Sequence, residues 1–150
     1  MATSRSEQPR WCIVSGGSHT VVSNRQESRK RARIAGAYVE VAGLVLEEPE
    51  REEFLSVSAG LSVLAGIAAS DAICAARLHQ IHKGDDHRGA TDLLRTATPD
   101  GKKLSATLAR LLDVKDAAHY GVVFVSTTKA REALKWAKLL AERAKNEVEK

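Results

Sequence analysis

Aromatic side chains are nearly missing: two Phe, two Tyr and two Trp make up 4% of the 150 residues. A core built on large rings is excluded, and the interior has to come from Leu, Val, Ile and Ala, a mix that favours helices at short distance over a β-sandwich. Cysteine is as sparse. Cys12 lies in a polar leader and Cys74 in an apolar stretch, so neither a disulfide framework nor a zinc knuckle follows. The three prolines fall outside every long apolar stretch. The N-terminus lacks an apolar core of signal-peptide length, and the run over 57–76 is interrupted by Ser58, Ser62, Ser70 and Asp71. Together these absences lead to the expectation of a soluble cytoplasmic protein with no membrane partner.

What is present is length enough for one compact core, at 43% hydrophobic content. The net charge of +4 is unevenly spread. Residues 1–33 hold seven basic side chains (Arg5, Arg10, Arg25, Arg29, Lys30, Arg31 and Arg33) against Glu7 and Glu27, leaving the rest close to neutral. Attraction to phosphate would therefore come from a basic arm or a local patch, not from a uniformly basic groove. Residues 1–25, with Gly16-Gly17, several Ser and no sustained period, read as a flexible basic leader; residues 26–150 read as the domain.

Within that domain the apolar period is helical throughout. Ile34, Tyr38, Val41 and Val45 form a stripe that predicts a helix over 26–47, capped by Asn24 or Ser28 and ending before Pro49. Residues 53–82 give the longest candidate, apolar or small nearly all round, as a central helix would be, with Lys83-Gly84 closing it. A short helix over 86–97 starts from Asp85 or Asp86. Thr98 as cap and Pro99 at the first helical position start another, carrying Leu104, Leu108, Leu111 and Leu112 towards His119. "YGVVFVS" reads as an extended connector or helix start, with Ser126 capping a last helix over 127–147. The expected fold is an all-α, up-and-down bundle of four long helices plus a short one.

Four groups of residues bear chemistry. In "KDAAHYG", Lys115 and His119 are four apart and share a helix face, so a cation stands beside an imidazole that could handle a ribose proton; the plainer reading is a helix-end histidine bonded to a local carbonyl, with Tyr120 packed in the core. In "HQIHKGDDH", His79, His82, Asp85, Asp86 and His87 gather nitrogen and oxygen ligands, but in no strong metal spacing; a polar helix end with a capped turn explains them, and no metal is expected. Asp71 sits inside the apolar central helix and has to be paired, hydrogen-bonded or neutral there, because uncompensated burial of a carboxylate costs several kcal/mol; it either meets His119, Lys115 or Tyr120 across the bundle, with Asp71–His119 the leading contact, or lies at the bundle surface or on a neighbouring backbone group. In "RQESRKRAR", Arg29, Lys30 and Arg31 can meet phosphates, yet no aromatic is interleaved to stack a base.

The order "SAGLSVLAGIAASDAICAARL", "GDDHRGATDLL", "LLDVKDAAHYGVVFVS" and a final Ala-rich helix resembles small bacterial proteins of the HEPN superfamily (higher eukaryote and prokaryote nucleotide-binding) over residues 30–148. The resemblance implies a helical bundle, commonly a homodimer, in a superfamily whose active members are metal-independent ribonucleases and often toxins of toxin–antitoxin pairs. His119 matches the histidine of the active members' Arg…His motif. The arginine position is unmatched, since Lys115 lies too close and Arg110 too far upstream, and a lysine cannot reproduce arginine's planar fork on a phosphate. A second match, Arg77 to His82, turns its two side chains about 140° apart on a helix.

The expected function is accordingly an HEPN-like, non-catalytic module, without cofactor, that binds RNA or nucleotide or a protein partner, in a toxin–antitoxin or stress pathway. The alternatives are a metal-independent endoribonuclease using His119 and Lys115, and a structural helical dimerisation adaptor.

Overall fold

A computed structural model describes residues 19–48, 50–84, 87–121 and 123–150, excluding the side chains of His19 and Tyr120. Five helices and a two-stranded ribbon follow in the order β1 (His19–Val22), α1 (Arg25–Leu46), α2 (Glu52–Leu78), β2 (Gln80–Lys83), α3 (His87–Ala97), α4 (Gly101–Tyr120) and α5 (Thr127–Glu149). The all-α bundle holds. α2 runs through its middle and touches each of the other four helices.

The small residues of α2 are what let it be central. Ala59, Ala65, Ala68, Ala69 and Ala72 are buried to 1% exposure or less, and none extends past its first carbon, so neighbouring backbones come close. At Gly66 a Cβ would stand 2.5 Å from the Leu111 side chain of α4. That space is already taken. Along α1 the fit is polar as well: Ser28 donates to the Ala72 carbonyl at 3.2 Å and Ser58 to the Ala42 carbonyl at 2.8 Å. Two buried hydroxyls thereby fix the antiparallel register of α1 on α2 at both ends. By length and composition α2 is also apolar enough to cross a bilayer, but 72% of that window is buried within the bundle, as befits a core helix.

Helix ends follow local chemistry where local chemistry suffices. Asn24 accepts from the Glu27 amide while Glu27 reaches back to the Asn24 amide, completing a capping box. Ser126 accepts from the Lys129 amide and starts α5. The "YGVVFVS" connector ends with the Val125 amide bonded to Ser56 at 3.0 Å.

Two boundaries differ from those read in the sequence. α2 stops at Leu78, not at residue 82, because His79 adopts the left-handed conformation (φ 57°) and the next four residues pair antiparallel with His19–Val22. The end of the leader is thus folded against the body; residues 1–18 lie outside the described residues. α4 begins at Gly101 rather than Pro99: Thr98 donates to Asp100 instead of capping, and Asp100 is taken by both terminal nitrogens of Arg143 at 2.6 and 2.8 Å. For α3, Asp85 and Asp86 lie outside the described residues.

A charged latch ties the end of α5 to the other helices. Glu147, 4% exposed, meets Arg143 at 2.9 Å, Lys150 at 3.1 Å and Arg77 of α2 at 3.5 Å. Burial pushes its carboxyl up, but Arg143 and Lys150 more than offset this and leave it below its ordinary value of 4.5. Hydrogen bonds from Arg143 and Thr98 likewise hold Asp100 well below the usual carboxylate range. Both groups are more acidic folded than unfolded, so their stabilisation is full above the unfolded values and is lost as pH falls through the folded ones. Glu147→Gln should cost about 1–3 kcal/mol in urea unfolding at pH 7, a difference that shrinks below about pH 4.5 as wild type loses the same charge; a pH-independent difference would show that the charge is not responsible.

Candidate functional site

The polar residues of α2, β2, α3 and α4 converge on one small cavity of about 140 Å³. α2 contributes Ser70 and Asp71, β2 His82, α3 His87, and α4 Lys115, over an aliphatic floor that includes Leu108 and Leu112. Lys115 Nζ donates to His87 Nε2 at 3.3 Å. That bond requires the ring proton on Nδ1.

His82 is the unusual member. Both of its ring nitrogens are shielded from solvent and neither has a hydrogen-bond partner among the described residues. An imidazole buried this way forfeits hydrogen bonds worth about 1–3 kcal/mol unless something in the cavity supplies them. The ring fits only because α3 carries Gly89 beside it: a Cβ there would lie 2.3 Å from His82 Cε1. β2 fixes the backbone beneath, with His82 paired to Thr20 of β1.

Asp71 finds its partner on α1. Arg31 Nη2 meets Asp71 Oδ2 at 2.6 Å. Burial raises the Asp71 carboxyl above its ordinary value of 3.8, with Arg31 pulling the other way. The expected Asp71–His119 contact does not form. The ring of His119 lies over Gly60, where a Cβ would be 3.1 Å from Cε1, and Gly60 is eleven residues before Asp71, about 16 Å along the α2 axis. His119 is exposed, whereas the half-buried Lys115 one turn earlier turns to His87. The cation and the imidazole thus serve separate places, although both stand on α4. Tyr120 closes α4, and its side chain lies outside the described residues.

No family model and no curated protein matches this chain. Its site is therefore read from chemistry alone.

Of the residues singled out in the sequence, Lys115, Asp71 and Arg31 are brought together at or beside the cavity. Arg29 and Lys30 are not: successive helical positions turn by about 100°, so Arg29 lines a groove against α5 and Lys30 faces solvent. Among the described residues no group of three His, Cys, Asp or Glu can hold a metal ion. Cys74 is buried, and that burial, reinforced by the nearby Asp71 charge, pushes its thiol up to about 12, away from the thiolate form.

His82 and His87 were legible only as part of a polar helix end. The signal that could have separated them is Gly89, a glycine within the short helix facing them. Gly89→Val should push the His82 ring from its seat, shifting its ring resonances in two-dimensional NMR and costing about 1–3 kcal/mol of stability; unchanged His82 resonances would mean that the ring does not depend on that space.

Proposed function

We propose that this chain is an HEPN-like, non-catalytic helical module of the cytoplasm that binds RNA or a nucleotide through a phosphate group. The observation that carries the reading is the Lys115–His87 pair, at 3.3 Å, on a cavity also lined by His82, whose two buried ring nitrogens have no hydrogen-bond partner among the described residues. Asp71 would oppose an anion, but its charge is matched by Arg31, so Lys115 supplies the uncompensated one. A lysine is a point-charge donor suited to a phosphate oxygen, and imidazoles add donors beside it. Size sharpens the choice. At about 140 Å³ the cavity is well below the few hundred Å³ that whole drug-sized ligands fill, and matches one phosphate-sized group with the rest of the ligand outside.

A non-catalytic role is favoured by the place of the His119 ring, over Gly60 and not among the residues that line the cavity, since general acid–base cleavage needs the proton-transfer group within reach of the bound phosphate. The exposure of His119 is what favours the alternative, a metal-independent endoribonuclease. A homodimer belongs to the same proposal: Val57 (48% exposed) and Leu64 (38%) lie about one turn to either side of Gly60 and leave an apolar strip next to His119.

Purified protein should retard short single-stranded RNA in a gel without cutting it, and binding should weaken as salt rises. Lys115→Ala should weaken binding at least tenfold, while His119→Ala leaves it within twofold. Metal-independent cuts abolished by His119→Ala would replace this reading with the nuclease, and neither retardation nor cleavage would favour a structural adaptor.

A further inference from the structure

A second concave surface lies on the opposite flank of α1, between α1 and α5. It is an open groove of about 920 Å³ with a floor that includes Ala32, Val39, Ala141 and Val148. Arg29 and Arg33 stand along its α1 edge and Lys138 and Lys145 along its α5 edge. Among the described residues none of these four cations has an ion pair or a side-chain hydrogen bond. Gly36 lies at the groove, and a Cβ built on it meets no atom within 4 Å.

An apolar trough rimmed by free cations fits a ligand that is apolar along one side and acidic along its borders. We infer that this groove docks an amphipathic helix of a partner protein, with small aliphatic residues on its buried stripe and Asp or Glu flanking it. The groove follows α1 from Arg29 to Val39 and α5 from Lys138 to Glu149, about 15 Å along either helix, which is roughly three turns of an incoming one. RNA is the poorer fit, because its phosphates would lie on aliphatic side chains and meet Glu142 and Glu149, which interrupt the α5 edge. The chain's own leader is no better: residues 1–18 carry Arg5 and Arg10 against a single Glu7, the same sign as the rim. Glu142 and Glu149 set the orientation instead. The α1 edge is purely basic and the α5 edge alternates in sign, so the partner helix should be more acidic on the side facing α1.

The test is selection from a displayed library of helical peptides with a fixed Ala/Leu stripe and randomised flanks, using the full chain as bait. Enriched peptides should be acidic on their flanks, lose at least tenfold in affinity for Arg29→Glu/Arg33→Glu, and lose binding to Gly36→Phe. The second variant fills the groove from a position with open space and so leaves the fold intact, which its circular dichroism and its unchanged urea midpoint would verify. Failure of the RNA reading would leave this outcome untouched. No enrichment, enrichment of neutral or basic flanks, or equal binding to Gly36→Phe would overturn the inference. So would a wild-type dimer that Gly36→Phe turns into a monomer, since the groove would then belong to a second copy.

Discussion

The close approach of other helices to α2 is the constraint on which the rest depends. A 27-residue helix, about 40 Å long, can touch four neighbours only if its contact faces carry little bulk. Alanine, serine and glycine meet that condition, and Leu108, Leu111 and Leu140 from α4 and α5 supply the volume. The division of labour explains how so few aromatic residues suffice. It also makes the bundle intolerant of added methylenes at Gly66, where the space is occupied by Leu111.

The cavity is a consequence of the same packing. α2 ends at Leu78 and gives way to the ribbon strand β2, and residues of α2, β2, α3 and α4 together line the cavity beside Asp71. Arg31 neutralises Asp71 from α1, and the short ribbon brings His82 in from the end. What remains is a place with the Lys115 ammonium held on His87, two His82 ring nitrogens without hydrogen-bond partners among the described residues, and an aliphatic floor. A phosphate-bearing ligand would meet these groups, which is why such a ligand is proposed for the site.

Much of the fold was legible because local chemistry determines it. Asn24 with Glu27, and Ser126, carry their own capping partners within four residues, and the starts of α1 and α5 fall within a residue or two of where the sequence places them. The end of α2 was not, because Ile81 continues the apolar pattern, and what stops the helix is a strand from residues 19–22, some sixty positions away. The partner of Asp71 was missed for a similar reason. Candidates were sought on α4, whereas the α1–α2 register set by Ser28 and Ser58 places Arg31 opposite it. Lys115 was picked for its spacing to His119, yet its role follows from His87, 28 residues away, a contact that no helical period encodes.

The central proposal is that the cavity shared by His82 and His87 receives a phosphate. Its most direct measurement is a titration of the protein, labelled with 15N at the histidine rings, with a short single-stranded RNA at fixed pH and salt. The His82 and His87 ring nitrogens should move together, with one saturation curve, while those of His79 stay in place. Movement confined to His119 with His82 and His87 unchanged would contradict the account and put the binding surface at the far end of α4.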